Sequence, residues 1–173
     1  MERTAFTRTM DRVPGPVAVV TTIDATGRRW GFTASSFSSV SLDPPLVLVC
    51  LDKESSTHAA FIGARYFLVN VLAQEQGGVA RRFATSGADR FAEGDTQPCE
   101  LGLPGLVDSC VRVACSMHSV LDGGDHSILV GRVRESYVSH RIPLVYYDCS
   151  FTHPVPGEPA ADRQLSALHL VDW

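Results

Sequence analysis

Apolar positions follow two rhythms along this chain. Phe6, Met10 and Val13 recur at helical spacing and Pro14-Gly15-Pro16 ends the run, which predicts a leading helix. Residues 17–23 are rich in β-branched side chains and reach a turn at Asp24-Ala25-Thr26-Gly27, from which residues 30–34 return as the second arm of a hairpin. Residues 46–51 form a continuous apolar run, the pattern of a strand buried on both faces. Helical spacing resumes over 55–64, strand-like sequence follows over 67–72, and a further helix is expected over 76–84. From 85 to 106, Gly87, Gly94, Pro98, Gly102, Pro104 and Gly105 mark a stretch that is mostly loop. Val111, Val113, Cys115 and Met117 then alternate with polar or small residues, as in a half-buried strand. Asp122-Gly123-Gly124-Asp125 turns the chain into a second long strand over 126–133, and residues 144–148 supply one more. The order is mainly antiparallel β with one leading and two inserted helices, which favours a small β-barrel over a doubly wound α/β sheet. Residues 154–161 are a Pro/Ala-rich linker and 165–173 a short apolar tail, for which a packed helix and a disordered end both stand open. The expected organisation is a single domain over 1–154 followed by linker and tail over 155–173.

Composition narrows the classes. A chain of 173 residues, 45 % hydrophobic and 20 % charged, is the size and balance of one globular domain. Such a domain buries about two thirds of its unfolded surface without a metal or disulfide staple. A net charge of −4 argues against a nucleic-acid partner, which calls for a basic patch. Cys50, Cys99, Cys110, Cys115 and Cys149 are odd in number and lack a C-x-x-C pair, so neither a disulfide framework nor a zinc ribbon fits. Cys50 and Cys115 lie in apolar runs, where a free thiol is expected to behave as a small buried hydrophobe. The N-terminus lacks the apolar core of a signal peptide, and no apolar run approaches the roughly 20 residues of a membrane span. A cytoplasmic protein without membrane contact is expected.

The chain also lacks a strand-linked G-x-G-x-x-G, a P-loop, a G-x-S-x-G elbow and H-E-x-x-H. What it has are hydroxyls concentrated at two strand ends. Thr33-Ala34-Ser35-Ser36 reads either as a solvated loop or as a ligand-lining segment. Ser55-Ser56-Thr57 precedes a helical pattern, so any of the three is a candidate N-cap. No Asp or Glu occupies the turn that follows, His58-Ala59-Ala60, and a helix start built this way suits an external phosphate. Arg81-Arg82-Phe83 and Asp89-Arg90-Phe91 offer guanidinium forks that pair well with phosphate, or else a solvated arginine face over buried phenylalanines. His126 opens a strand after Gly124-Asp125, at a barrel rim where pockets form.

In sequence order, Gly31-Phe32-Thr33-Ala34-Ser35-Ser36, Ser39-Val40-Ser41-Leu42-Asp43-Pro44-Pro45-Leu46, Val69-Asn70-Val71-Leu72, and Gly124-Asp125-His126 with Gly131 and Val133 resemble the flavin reductase family. These are short-chain, FMN-binding split-barrel reductases that supply reduced flavin to two-component monooxygenases, and the resemblance spans roughly 7–154. It implies an antiparallel Greek-key split barrel. It further implies that Thr33, Ala34, Ser35 and Ser36 line the flavin ring and ribityl chain. Cys50, Leu51, Asp52, Ser55, Ser56 and Thr57 would wrap the other side, with hydroxyls near the phosphate. Arg82 or Arg90 would complete the charge pairing, and His126 would face the nicotinamide. Family members often carry lysine where Arg90 stands, which replaces a point charge by a fork.

The activity implied is hydride transfer from NADH or NADPH to FMN or FAD, in which the protein supplies geometry. Backbone donors around residues 34–36 would stabilise the flavin edge that gains negative charge. A homodimer and a partner monooxygenase are implied as well. Two other classes are compatible with the same barrel. One is an oxidase or oxygenase that keeps its flavin bound; the other is a non-enzymatic flavin-binding protein, for which Gly124-Asp125-His126 has no evident use.

Overall fold

The computed structural model describes residues 2–155 and 157, so the expectations for most of the linker and for the tail lie outside the described residues. The chain runs α1 (Arg3–Met10), β1 (Gly15–Pro16), β2 (Ala18–Ile23), β3 (Arg29–Ala34), β4 (Ser38–Ser41), β5 (Leu46–Asp52), α2 (His58–Ile62), β6 (Tyr66–Val71) and, after a single 3-10 turn, α3 (Gly77–Ala84). It continues through a small hairpin, β7 (Thr96–Pro98) and β8 (Pro104–Leu106), to β9 (Val111–Gly123), β10 (His126–Val138), β11 (Val145–Tyr147) and β12 (Ser150–Thr152).

Seven strands form one antiparallel sheet in the order β3-β2-β6-β9-β10-β5-β4. The sheet rolls up. Phe32 and Ala34 of β3 share an interior cluster with Val47, Val49 and Leu51 of β5, although the two strands stand near opposite ends of that order. The Ser36 hydroxyl just beyond β3 accepts the Cys50 N–H of β5 at 2.8 Å, bridging the same gap. The fold is therefore the expected mainly-β split barrel. Phe61 of α2 is wholly buried in the barrel interior, its ring edge-on to Phe32 with centroids 4.9 Å apart. Truncating such a side chain costs about 3–5 kcal/mol.

A second cluster lies outside the barrel, where α3 covers β2: Val17 and Val19 meet Ala80 and Phe83. Gly31 makes this approach possible. A Cβ there would stand 2.7 Å from the Phe83 ring and 3.1 Å from the Val20 carbonyl, so only glycine lets helix and sheet close. The Asp24–Gly27 turn is built as its residues suggest, with Gly27 at φ +84 and the Asp24 carboxylate accepting the Thr26 and Arg28 N–H groups.

Four expectations change. The strand buried on both faces is β2, and with it β6; β5 alternates, with Val47, Val49 and Leu51 inside and Leu48 and Cys50 half-buried on the outer face. Cys115 is buried as expected, whereas Cys50 is not fully covered, because register places it outward. The helix expected over 55–64 shrinks to the five residues of α2. Helix α1 forms where Phe6 and Met10 suggest, yet none of its residues is buried.

Candidate functional site

A cleft of about 820 Å³ lies between the β2–β3 hairpin, Ser56 and the loop over 87–91. Arg90 stands on its wall. Its guanidinium donates to the Gly31 carbonyl at 2.7 Å and, more loosely, to that of Thr85 at 3.4 Å. Among the described residues it has no carboxylate within ion-pair distance. Burial alone lowers its pKa, and an anion in the cleft would restore what burial takes away.

Arg82 differs. It is more deeply set, with 11 % of its side chain exposed, and it forms ion pairs with Glu93 and Asp95 while its Nε donates to the Arg90 carbonyl at 2.9 Å. Burial works against its charge, but the two carboxylates outweigh that and raise its pKa. Arg82 thus holds the loop whose next cation is Arg90.

The hydroxyls are divided in the same way. Ser55 and Thr57 bond each other at 3.0 Å, and Thr57 is 1 % exposed. Thr57 stands at the start of α2 in αR geometry and makes no side-chain cap bond, so the N-cap expectation fails at this helix. The first turn of α2 carries no acid, as read, but five residues align too few peptide dipoles for a strong anion site. Ser56 is the member of this trio that lines the cleft with Arg90. In the other cluster the Thr33 hydroxyl donates to the Ala80 carbonyl at 2.7 Å, tying β3 to α3, and Ala34 is packed in the interior. Ser35 is exposed, and Ser36 receives the Cys50 N–H. Leu51 is a core side chain.

Register then sets a row of polar positions along the outer face of the barrel. His126 pairs with Asp52 and Ile128 with Cys50, so His126, Asp52 and Cys50 share one face. Two residues after Cys50, β5 ends and the chain enters 53–57, which joins this edge to Ser56. His126 Nδ1 lies 2.7 Å from Asp125 Oδ1, and this contact holds the Asp125 carboxyl below the usual carboxylate range. Nε2 has no hydrogen-bond partner among the described residues.

Lys53 and His58 belong to this edge and carry no recognisable pattern in the sequence. Lys53 is the chain's single lysine. Its ammonium binds Asp122 and the Gly124 carbonyl while its own N–H donates to the Asp125 carbonyl, which pins the turn in front of His126 against the end of β5. His58 Nε2 meets the Ser127 hydroxyl at 3.0 Å.

The cleft thus brings Ser56 and Arg90 together, while the β5–β10 edge brings together Ser36, Cys50, Asp52 and His126. Comparison with known proteins identifies the family. Residues 10–153 match the flavin reductase like domain, and the chain belongs to that family. It is 43 % identical over 159 residues to an NADH:riboflavin 5′-phosphate oxidoreductase of Streptomyces pristinaespiralis, covering 90 % of each chain. It is 42 % identical over 143 residues to HsaB, the reductase subunit of a flavin-dependent monooxygenase of Rhodococcus jostii, covering 82 % of this chain and 73 % of that one. The NADH:FAD oxidoreductase SgcE6 of Streptomyces globisporus C-1027, solved in complex with NAD and FAD fragments, superposes with a TM-score of 0.83 at 32 % identity over 93 % of this chain and 96 % of its own. No helix among the described residues is long and apolar enough to cross a membrane.

Proposed function

We propose that this chain is an NAD(P)H-dependent flavin reductase, carried by residues 1–154, that hands reduced flavin to a partner monooxygenase. The observation that carries the reading is the Arg90 guanidinium, half-buried on a cleft shared with Ser56 and free of carboxylates among the described residues. These residues fit a flavin phosphate. When bound, the nicotinamide and the flavin would supply the chemistry, transfer of a hydride from the first to the second.

The chain's part is binding and orientation. Ser56 and Arg90 hold a group that is unchanged by the reaction, so they contribute equally to ground and transition states. Backbone N–H groups around Ala34, Ser35 and Ser36 would stabilise the flavin edge that gains negative charge on reduction. His126, oriented by Asp125 and by the Lys53-pinned turn, offers Nε2 to the nicotinamide. Arg90 rather than Arg82 meets the phosphate, because Arg82 already faces two carboxylates. A cytoplasmic homodimer is part of the same reading; Phe6 and Met10 on α1 and Leu42 after β4 are exposed apolar side chains available to a second copy.

The test mixes purified protein with NADH or NADPH and FMN or FAD in all four combinations and follows nicotinamide absorbance. Oxidation that requires added flavin, with multiple flavin turnovers per protein, is the expected result. Flavin that co-purifies and does not exchange would shift the reading to a bound-flavin oxygenase. Absence of oxidation with every flavin would leave a binding protein.

A further inference from the structure

Past Ser56 and Arg90 the cleft has more room than one phosphate takes. Its volume, about 820 Å³, is that of a site for a whole small molecule. The rest of its lining comes largely from the β2–β3 hairpin and the 87–91 loop. There the Arg28 guanidinium lies 4.1 Å over the Trp30 ring and the Arg29 guanidinium 4.7 Å over the Phe91 ring. Like Arg90, neither has an ion-pair partner among the described residues. The one acid in the lining, Asp89, accepts the Phe91 N–H. Trp30 is held in place rather than free to swing, because its indole N–H donates to Asp24 at 2.7 Å. Hydrogen bonds from Thr26 and Trp30 keep that Asp24 carboxyl well below the usual range, so it stays an acceptor.

Resting on the flavin reading above, we propose that the part of the cleft formed by Arg28, Arg29, Trp30 and Phe91 binds the second phosphate and the adenosine of a dinucleotide flavin, which makes FAD rather than FMN the preferred flavin of this chain. Two guanidinium forks beyond Arg90 match a second phosphate. The Arg28 guanidinium, exposed and spread over an indole that packs against the core, offers its outer plane as the stacking surface for a purine. FMN would reach Ser56 and Arg90 and leave this half of the cleft empty. An adenosine diphosphate end also occurs in NADH, so the measurement has to separate the two sources.

Values of kcat/KM for FAD and for FMN at saturating NADH, and KM for NADH with each flavin, are compared among the unaltered protein, Trp30→Ala and Arg28→Glu. The unaltered protein should favour FAD by about tenfold or more, and each substitution should lower the FAD-to-FMN ratio by about tenfold, the effect of one lost stacking or charge contact. Arg28 is exposed on the hairpin, so Arg28→Glu carries the test if Trp30→Ala does not fold. Equal use of the two flavins, or a ratio that Arg28→Glu leaves unmoved, overturns the FAD assignment while the reductase reading stands. A rise in KM for NADH that is the same with either flavin assigns the cleft to the nicotinamide dinucleotide and overturns it too. Reduction of neither flavin by NADH or by NADPH removes both readings together.

Discussion

The two sides of the loop that follows α3 use the same residue type for opposite purposes. On the inner side Arg82 is enclosed and neutralised by Glu93 and Asp95, and it grips the Arg90 carbonyl. On the cleft side Arg90 is held only by backbone carbonyls and keeps its charge unanswered among the described residues. The hydroxyl clusters repeat the contrast: Thr33 and Thr57 are engaged by the fold, whereas Ser35 and Ser56 are exposed. Residue type says which groups are capable of binding an anion. Their existing partners decide which are available to do so. Arginine's fork serves both purposes because it satisfies carbonyls and carboxylates alike.

The sharpest way to break this contrast is to remove each arginine in turn. Arg82→Ala leaves the partly buried Asp95 carboxylate without its partner, and one of its oxygens, Oδ1, already lacks a hydrogen bond. Removing one partner of such a pair costs about 3 kcal/mol. Thermal and urea melts of Arg82→Ala should show that loss. Arg90→Ala gives up little more than one hydrogen bond to Gly31 and should lose about 1 kcal/mol or less. Its kcat/KM for flavin should instead fall at least tenfold. Melts in which the two variants are equally destabilised, with flavin KM unmoved in both, would erase the distinction.

His126 extends the contrast to the other end of the site, with an expected effect of about tenfold. Asp125 and the Lys53-pinned turn engage one side of the imidazole region, and Nε2 remains. His126→Ala should lower kcat/KM for NAD(P)H by about tenfold and leave flavin affinity nearly intact, the loss of one contact of roughly 1–2 kcal/mol. Stopped-flow reduction of bound flavin, run beside a melting curve, reads both quantities. A lower melting temperature with kcat/KM for NAD(P)H unchanged would place His126 with the groups engaged by the fold.

The strands were legible in the sequence because alternation and β-branching are local. Which strand is buried twice was not. In β2 the buried Thr21 and Thr22 interrupt the apolar run, and their hydroxyls are satisfied by the carbonyls of Pro104 and Tyr66, partners 83 and 44 residues away. Hydropathy therefore understates the burial of β2, and the unbroken run of β5 overstates its own. The hydroxyl and arginine candidates were visible for the same local reason. Their availability was hidden because Glu93, Asp95 and the Ala80 carbonyl, which engage Arg82 and Thr33, come from the loop and helix packed against them. Lys53 shows the limit most clearly. A single lysine has no periodicity, and it acquires a role only when β5 and the β9–β10 turn are brought side by side.

The smallest expected effect separates neighbours. Ser56 and Thr57 are adjacent and both carry hydroxyls, yet Ser56 is exposed on the cleft and Thr57 is buried against Ser55. Ser56→Ala removes one donor to a flavin phosphate and nothing from the core. It should raise the KM for flavin about threefold, or roughly 0.6 kcal/mol, while kcat at saturation and melting temperature stay put, because the phosphate is unchanged by the reaction. Thr57→Ala removes the buried hydroxyl that bonds Ser55 and opens a small void beside α2. It should cost about 1 kcal/mol of stability and leave flavin KM unaltered. Changing both residues at once would mix the two effects, so the single variants are the informative pair. If Thr57→Ala raises flavin KM more than Ser56→Ala does, exposure is not what selects the phosphate-binding hydroxyl, and the placement of that end of the site at Ser56 and Arg90 fails.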